Sequence, residues 1–285
     1  MGRRRPAVAG AFYAGTREEL VKQIEECFTS SIGPGTLPET PIKHGERRLP
    51  ALICPHAGYM YSGPVAAHSY IRLAGRRRPA TVVVVGPNHY GIGTAVSIFP
   101  DGEWLTPLGA VKIDNALATE LARESDIFSL DEVSHRSEHS IEVQVPFLQY
   151  LLGDFTFLPI CVLDQSEETC VEVGEALARV VDGRDILLVA SSDFTHYEPH
   201  ESVKKKDAIA LERIAELDVG GLYTEMYKHD ISMCGFGAMA AVITAAKRLG
   251  ASRAEIIKHA TSGDTSGDYS SVVGYASCVI ELPQE

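Results

Sequence analysis

The chain of 285 residues has no CxxC pair, a single tryptophan, no excess of positive charge and no long apolar run. Each lack removes a class of function. Its six cysteines, Cys27, Cys54, Cys161, Cys170, Cys234 and Cys278, are too scattered for a zinc-finger spacing or a disulfide framework. Cys161, Cys170 and Cys278 lie in apolar segments and suit core positions. With 26 Lys and Arg against 38 Asp and Glu, the net charge is −12, which lacks the basic footprint of a nucleic-acid-binding protein. The basic triplets at Arg76, Arg77, Arg78 and at Lys204, Lys205, Lys206 are expected as solvated helix ends or loops. No apolar run reaches the roughly 18 residues of a membrane helix. No apolar stretch follows Arg3, Arg4 and Arg5 as a secretory signal would require. The expectation is a cytoplasmic protein without nucleic-acid or membrane partners. There is also no repeat, low-complexity tract or linker, so residues 1–285 are expected to form a single domain. Hydrophobic and charged contents of 45% and 22% are ordinary for a globular chain.

What the chain does have is organised around residues 81–91, TVVVVGPNHYG. Four consecutive valines before a Gly-Pro turn read as a strand buried on both faces. The strand delivers His89 into the loop beyond it. In open α/β sheets, ligands bind outside the carboxyl ends of the strands. The same pattern recurs twice. LPALICPHAGYMYSG places His56 after an apolar run, and DILLVASSDFTHY places Asp193 and His196 after another. Three strand ends carrying metal-type side chains make a constellation. Asp193 and His196, three apart, suit an acid–base pair in which the carboxylate orients the imidazole, with capping of the next helix by Asp193 as the structural alternative.

The remaining segments frame these ends. Thr16 and Glu19 form a capping box for a helix bearing Leu20, Ile24 and Phe28, and residues 30–48 read as a loop. Ala9 and Gly10 suggest a close backbone approach. Pro64 is expected to open a helix running to Leu73, with His68 inside it as a structural residue. Residues 101–109 read as a hairpin carrying Trp104, and 114–124 as an amphipathic helix. In SHRSEHSIEVQVPFLQ, His135 and His139 stand at the four-residue spacing of a helical two-histidine site, but Ser134 and Ser137 favour a loop or cap. A supporting or substrate-contacting role is therefore expected for His135, Glu138 and His139, ahead of an apolar helix kinked by Pro146. Helices are expected over 167–181 and 207–217, and strands over 155–163, 255–259 and 271–282. The stretch 261–271 reads as a polar, glycine-rich loop. Cys234 leads an Ala-rich helix, where the helix dipole should lower its pKa.

Together the segments RRPAVAGAFY, PHAGYMYSG, GPNH, HSIEVQVPFLQ, SSDFTHY, MCGFG and TSGDTSGDYSSVVGYAS resemble those of the Memo family, whose microbial members are also called AmmeMemoRadiSam system protein B. The resemblance covers nearly the whole chain. It implies an α/β fold with a central, mostly parallel or mixed sheet flanked by helices on both faces, like that of the class III extradiol dioxygenases. It also implies His56 and His89 as metal histidines, His196 near the acid–base histidine, and Cys234 where those dioxygenases have a glutamate ligand. A thiolate there is softer than a carboxylate and is readily oxidised, so extradiol cleavage does not follow from the fold. Asp193, His135 and Glu138 become candidates to hold the ligands, and Tyr59 and Trp104 candidates to wall the pocket. The expected function is a metal-dependent oxidoreductase using iron or copper, with a small-molecule or peptide substrate. The family label implies a link to a radical-SAM protein. The alternative is a non-catalytic metal, ligand or partner-binding protein retaining the same pocket.

Overall fold

The computed structural model describes residues 2–40, 49 and 51–283. Of the loop expected over 30–48, residues 41–48 lie outside the described residues. The valine segment forms the strand Thr81–Pro87, every residue of it buried. Its side chains alternate between two cores: Val83 and Val85 enter one, Val82 and Val84 the other. The neighbouring strand Ile186–Ser191 divides the same way, with Leu188 and Ala190 on one face and Leu187 and Val189 on the opposite face. A period of two with both faces covered accounts for apolar runs with no polar alternation.

Five strands run parallel in the order Gly109–Ile113, Thr156–Val162, Thr81–Pro87, Ile186–Ser191, Ala51–Cys54. The strand Val272–Ile280 then joins antiparallel to Ala51–Cys54, and Ala254–Thr261 pairs antiparallel with it. A hairpin of Gly102–Thr106 and Gly109–Ile113 borders the other side, where Gly2–Arg4 adds in parallel. The sheet is therefore mixed with a parallel centre. Helices Arg17–Thr29, Tyr59–Tyr70 and Val145–Leu152 supply one core. Asn115–Glu124, Glu167–Val181, His200–Ala215, Val219–His229 and Phe236–Arg248 supply the other.

Several local expectations change. Pro64 sits inside the helix Tyr59–Tyr70 rather than at its start, because Gly58 already caps that helix and the Tyr59 N–H bonds to the Phe12 carbonyl. Pro146 occupies the first turn of Val145–Leu152, so it begins that helix instead of kinking it. The polar stretch after Thr261 contains the short helix Ser262–Ser266, held by a capping box between Thr261 and Asp264. The helix expected from residue 207 begins at His200, so Lys204, Lys205 and Lys206 lie within it, and Val219–His229 is a further helix. Arg76 is not solvated: it is buried and paired with Glu281. Gly10 serves a turn at positive φ, and nothing crowds it. Cys161, Cys170 and Cys278 are buried and unpaired.

Leu187 is fully buried in the strand between Thr81–Pro87 and Ala51–Cys54. Leu187→Ala should cost about 2–5 kcal/mol of stability. A urea denaturation midpoint indistinguishable from wild type would contradict this account of the sheet.

Candidate metal centre

The strand order explains why the constellation exists. Thr81–Pro87, Ile186–Ser191 and Ala51–Cys54 are adjacent and parallel, so their carboxyl ends lie side by side. His89, Asp193 with His196, and His56 leave the sheet from these three ends. Cys234 comes from the loop before helix Phe236–Arg248. That loop lies against the central strand: a Cβ on Gly235 would stand 2.4 Å from the Ser191 carbonyl oxygen and 2.7 Å from Ser192 Cβ. Glycine is required for the approach. The result brings one ligand atom from each of His56, His89 and Cys234 within 4.8 Å of one another, with Cys234 Sγ 3.2 Å from His56 Nε2. Two such ligands on a tetrahedral ion stand roughly 3.5 Å apart, given metal–ligand distances of about 2.1 and 2.3 Å.

A chain of hydrogen bonds fixes which nitrogen of His56 carries its proton. The Pro55 carbonyl can only accept, so Gln144 must present its Nε2 there (2.9 Å), and the same amide group donates to Ser191 Oγ (2.8 Å). Tyr70 donates to Gln144 Oε1 (2.6 Å), which agrees with that orientation. Ser191 spends its own proton on the Ser140 carbonyl (2.6 Å). Its remaining lone pair must therefore accept from His56 Nδ1–H (2.9 Å). Nε2 is left with a free lone pair facing Cys234. Burial, followed by the neighbouring His139 and His89, holds the His56 pKa well below its ordinary value, so the ring is a neutral donor.

His89 is held by a carboxylate. Glu138, fully buried, accepts from His89 Nδ1–H (2.9 Å) and from the His89 backbone N–H (2.6 Å). The backbone N–H groups of His139 and Ser140 also donate to it, each at 2.8 Å. Burial alone would raise this carboxyl; the hydrogen bonds from His89 and from the Ser140 N–H outweigh it and hold it at about 2. Nε2 is again the nitrogen left free, the arrangement by which a carboxylate orients a metal-binding histidine. His139 stacks on His89 with ring centroids 4.5 Å apart, and burial lowers its pKa to about 4.

Asp193 and His196 reach the same cavity but do not form the expected pair. Asp193 Oδ1 accepts the His56 backbone N–H (2.7 Å), and it does not cap a helix. His196 Nδ1–H donates to the Ser232 carbonyl (2.8 Å), which leaves Nε2 unbonded. Burial pushes the Asp193 carboxyl up to about 6 against the opposing pull of the His56 N–H and of His196 and His89. The Cys234 thiol is also moved opposite to expectation. Burial, then the charge of Asp193, raises its pKa, and these outweigh any helix-end effect two residues before the first turn.

The cavity above these groups has a volume of about 940 Å³ and is lined by His56, His89, His139, Asp193, His196 and Cys234, with Phe12, Met60, Tyr61 and Tyr197 on its apolar side. No Lys or Arg lines it among the described residues. Three expected members are elsewhere. Tyr59 is buried in the core beneath, its hydroxyl donating to the Val143 carbonyl. Trp104 packs on Phe99, Phe157 and His135 under the Arg4 guanidinium. His135 is buried with it, and the turn between them keeps it off any helix shared with His139. Sequence reasoning missed Ser191, Gln144 and Ser232. Gln144 stood within a quoted motif, but only the fold shows that it faces His56.

A family profile described as "Memo-like protein" matches residues 4–279. The chain belongs to the Memo family. A MEMO1 family protein of Methanopyrus kandleri is 52% identical over 97% of this chain and 98% of its own length. One from Methanocaldococcus jannaschii is 48% identical over 98% and 99%. A solved structure of an uncharacterized Escherichia coli K12 protein matches with a TM-score of 0.56 at 18% identity, covering 82% of this chain and 100% of that one. At that identity the likeness concerns fold alone. The family assignment thus agrees with the resemblance carried by the motifs.

His135 offers a test of the electrostatics beside the centre. Its ring nitrogens make no well-formed hydrogen bond among the described residues, and burial with the Arg4 charge outweighs a weak backbone contact at Ser97 and lowers its pKa to about 3. An unfolded histidine titrates near about 6.5. The unfolded chain therefore binds more protons below that value, and stability is lost as pH falls from about 6.5 toward 3. His135→Phe should remove part of this loss, flattening the fall in melting temperature between pH 6.5 and 4. An unchanged acid slope in the variant would count against the assignment.

Proposed function

We propose that this protein binds a transition metal, iron or copper, through His56, His89 and Cys234, and that it uses the metal in oxidoreductase chemistry on a small molecule or peptide admitted by the cavity. The observation that carries the reading is the orientation of both histidines: Ser191 and Glu138 each take an Nδ1–H, which leaves each Nε2 available, that of His56 3.2 Å from the Cys234 thiol, with a ligand atom of all three residues within 4.8 Å of one another. Neutral imidazoles and a thiol form a donor set suited to iron, copper or zinc. A bound ion would supply Lewis acidity or electron transfer at the cavity floor.

The protein's own groups do the rest. His196, anchored at Nδ1 by Ser232, can accept or release a proton at Nε2. Phe12, Met60, Tyr61 and Tyr197 offer an apolar wall for the substrate. Asp193 keeps the His56 main chain in place. A different observation gives a second reading some weight: Asp193 does not orient His196, whose Nδ1–H goes to the Ser232 carbonyl, and this suits a metal-binding protein without turnover. Among the described residues no helix is long and apolar enough to cross a membrane.

Anaerobically purified wild type should carry stoichiometric iron or copper that Cys234→Ser and His89→Ala both lose. If reduced wild type binds neither metal tightly, the reading fails. Ser191→Ala should keep all three ligands yet weaken metal binding about 10–100-fold, the usual cost of losing a group that orients a ligand. His196→Gln separates the two readings. With metal retained, loss of metal-dependent oxygen uptake favours catalysis, and unchanged behaviour in every assay favours the binder.

A further inference from the structure

A second polar cavity, of about 350 Å³, lies between the first turns of helix His200–Ala215 and the strand Ala254–Thr261. It is separate from the metal centre, sharing no lining residue with it. Its walls carry His200, Lys204, Lys258 and His259. In a chain of net charge −12, Lys204 and Lys258 bring two positive charges to this cavity, beside the carboxylate of Asp264. Three carboxylates, Asp207, Asp264 and Glu201, stand nearby, and the hydrogen bonds that the first two accept orient them without cancelling their charge. Asp207, fully buried, accepts from His259 Nε2 (2.7 Å) and from the Thr195 backbone N–H (3.0 Å). Asp264 also lines the cavity, but its carboxylate accepts the Thr261 backbone N–H (2.8 Å) in the capping box. Glu201 is exposed and stands 3.8 Å from both His200 Nε2 and Lys204 Nζ, a loose contact that solvent screens. Lys258 pairs with no carboxylate among the described residues.

We propose that this cavity is a binding site for a small oxyanion of the phosphate type, held by Lys204 and Lys258 with His200 and His259. Two ammonium groups on a concave site suit a compact dianion, and each imidazole, with one N–H committed to Asp207 or Thr261, adds a donor to it only when protonated. The site is also wired to the metal centre. His259 bonds Asp207, and Asp207 holds the N–H of Thr195, the residue before His196. A Cβ on Gly274 would stand 1.9 Å from Asp207 Oδ2, so the carboxylate is fixed against the strand Val272–Ile280, whose Val273 lines the main cavity. His200 bonds Thr261 Oγ1, which caps the helix Ser262–Ser266, and both ends of that helix line the main cavity. An anion drawing on His259 and His200 therefore acts on two elements of the principal site without entering it.

The test is titration of the full chain, labelled with ¹³C at histidine, with inorganic phosphate at ionic strength held constant by chloride. His200 and His259 ring signals, assigned with His200→Gln, should shift saturably with a millimolar dissociation constant. Each of Lys204→Gln and Lys258→Gln should weaken binding about five- to tenfold, as expected for losing one partly exposed charge contact, and the double variant should show no saturation up to roughly 50 mM. Both lysines are at least partly exposed, and an unchanged melting curve checks the fold. No saturable shift in wild type, or equal binding by the double variant, would overturn the site. Phosphate that shifts His56 and His89 equally in wild type and double variant would place it in the main cavity and also overturn it. The link to His196 stands if its signal moves with the same dissociation constant, and falls if that signal is unmoved at saturation.

Discussion

The buried carboxylate of Glu138 is the constraint on which the candidate centre depends. An ionised carboxylate removed from water costs several kcal/mol unless its lone pairs are filled. Here they are filled by three backbone N–H groups and one imidazole, all from two short loops. Satisfying one charge thus fixes the path of the chain at His89 and at residues 139–140 together. Arg4 completes the arrangement from outside. Its guanidinium donates to the Glu138 and His135 carbonyls and forms a buried ion pair with Glu142, which also accepts from Tyr13. The first residues of the chain are therefore built into the support of the centre, which accounts for a buried arginine in a sequence segment that otherwise reads as a basic tail.

The opposite side of the centre is fixed by neutral hydrogen bonds. Ser191 sits at the end of the central parallel strand, paired in register with Cys54 on the neighbouring strand. That register sets its hydroxyl beside His56 two residues later. Gln144 comes from a different layer, where the turn Glu142–Gln144 leads into the helix Val145–Leu152. A polar network of this kind is favourable only if every member is satisfied, and here the Gln144 amide, the Ser191 hydroxyl and His56 Nδ1–H each find an acceptor. The two histidines are oriented by different means, one by a charge and one by a relay of neutral groups. His56 is the more deeply buried of the pair, and there a second charge would be the costlier choice.

Much of this was legible in the residues. Apolar runs ending in His56, His89 and Asp193 gave the parallel strands and the face on which the site lies, because period-two burial on both faces leaves no polar alternation. The strand order was not legible. Nothing local to 81–87, 186–191 and 51–54 says that these three are neighbours, and that adjacency converts three motifs into one centre. The errors share a cause. Tyr59 and His135 were placed near the site by sequence proximity to its motifs and Trp104 as an aromatic beside a turn, whereas side-chain direction put each into the layer beneath. Pro64 and Pro146 were each assigned the other's role, since a proline within an apolar helical pattern does not reveal where the helix starts. Arg76 looked solvated because its partner Glu281 lies 205 residues away.

The electrostatics of the centre bear on the proposed metal. Its cavity has no lysine or arginine among the described residues, its histidines include two held neutral by burial, and Asp193 and Cys234 are both shifted toward their protonated forms. Every one of these shifts has burial as its leading cause; a cation at the floor of the cavity would oppose the upward shifts of Asp193 and Cys234 and reinforce the neutral state of the two imidazoles. On the proposed reading, the ion replaces the thiol proton of Cys234 and stabilises the Asp193 carboxylate beside it. Binding then releases protons, so affinity must rise with pH across the range in which those groups would otherwise remain protonated. A cluster of this composition that existed only for packing would gain nothing from two locked imidazole tautomers and a cysteine held against the strand end by Gly235. The cost of building them is intelligible as preparation for a positive charge that the polypeptide does not itself supply.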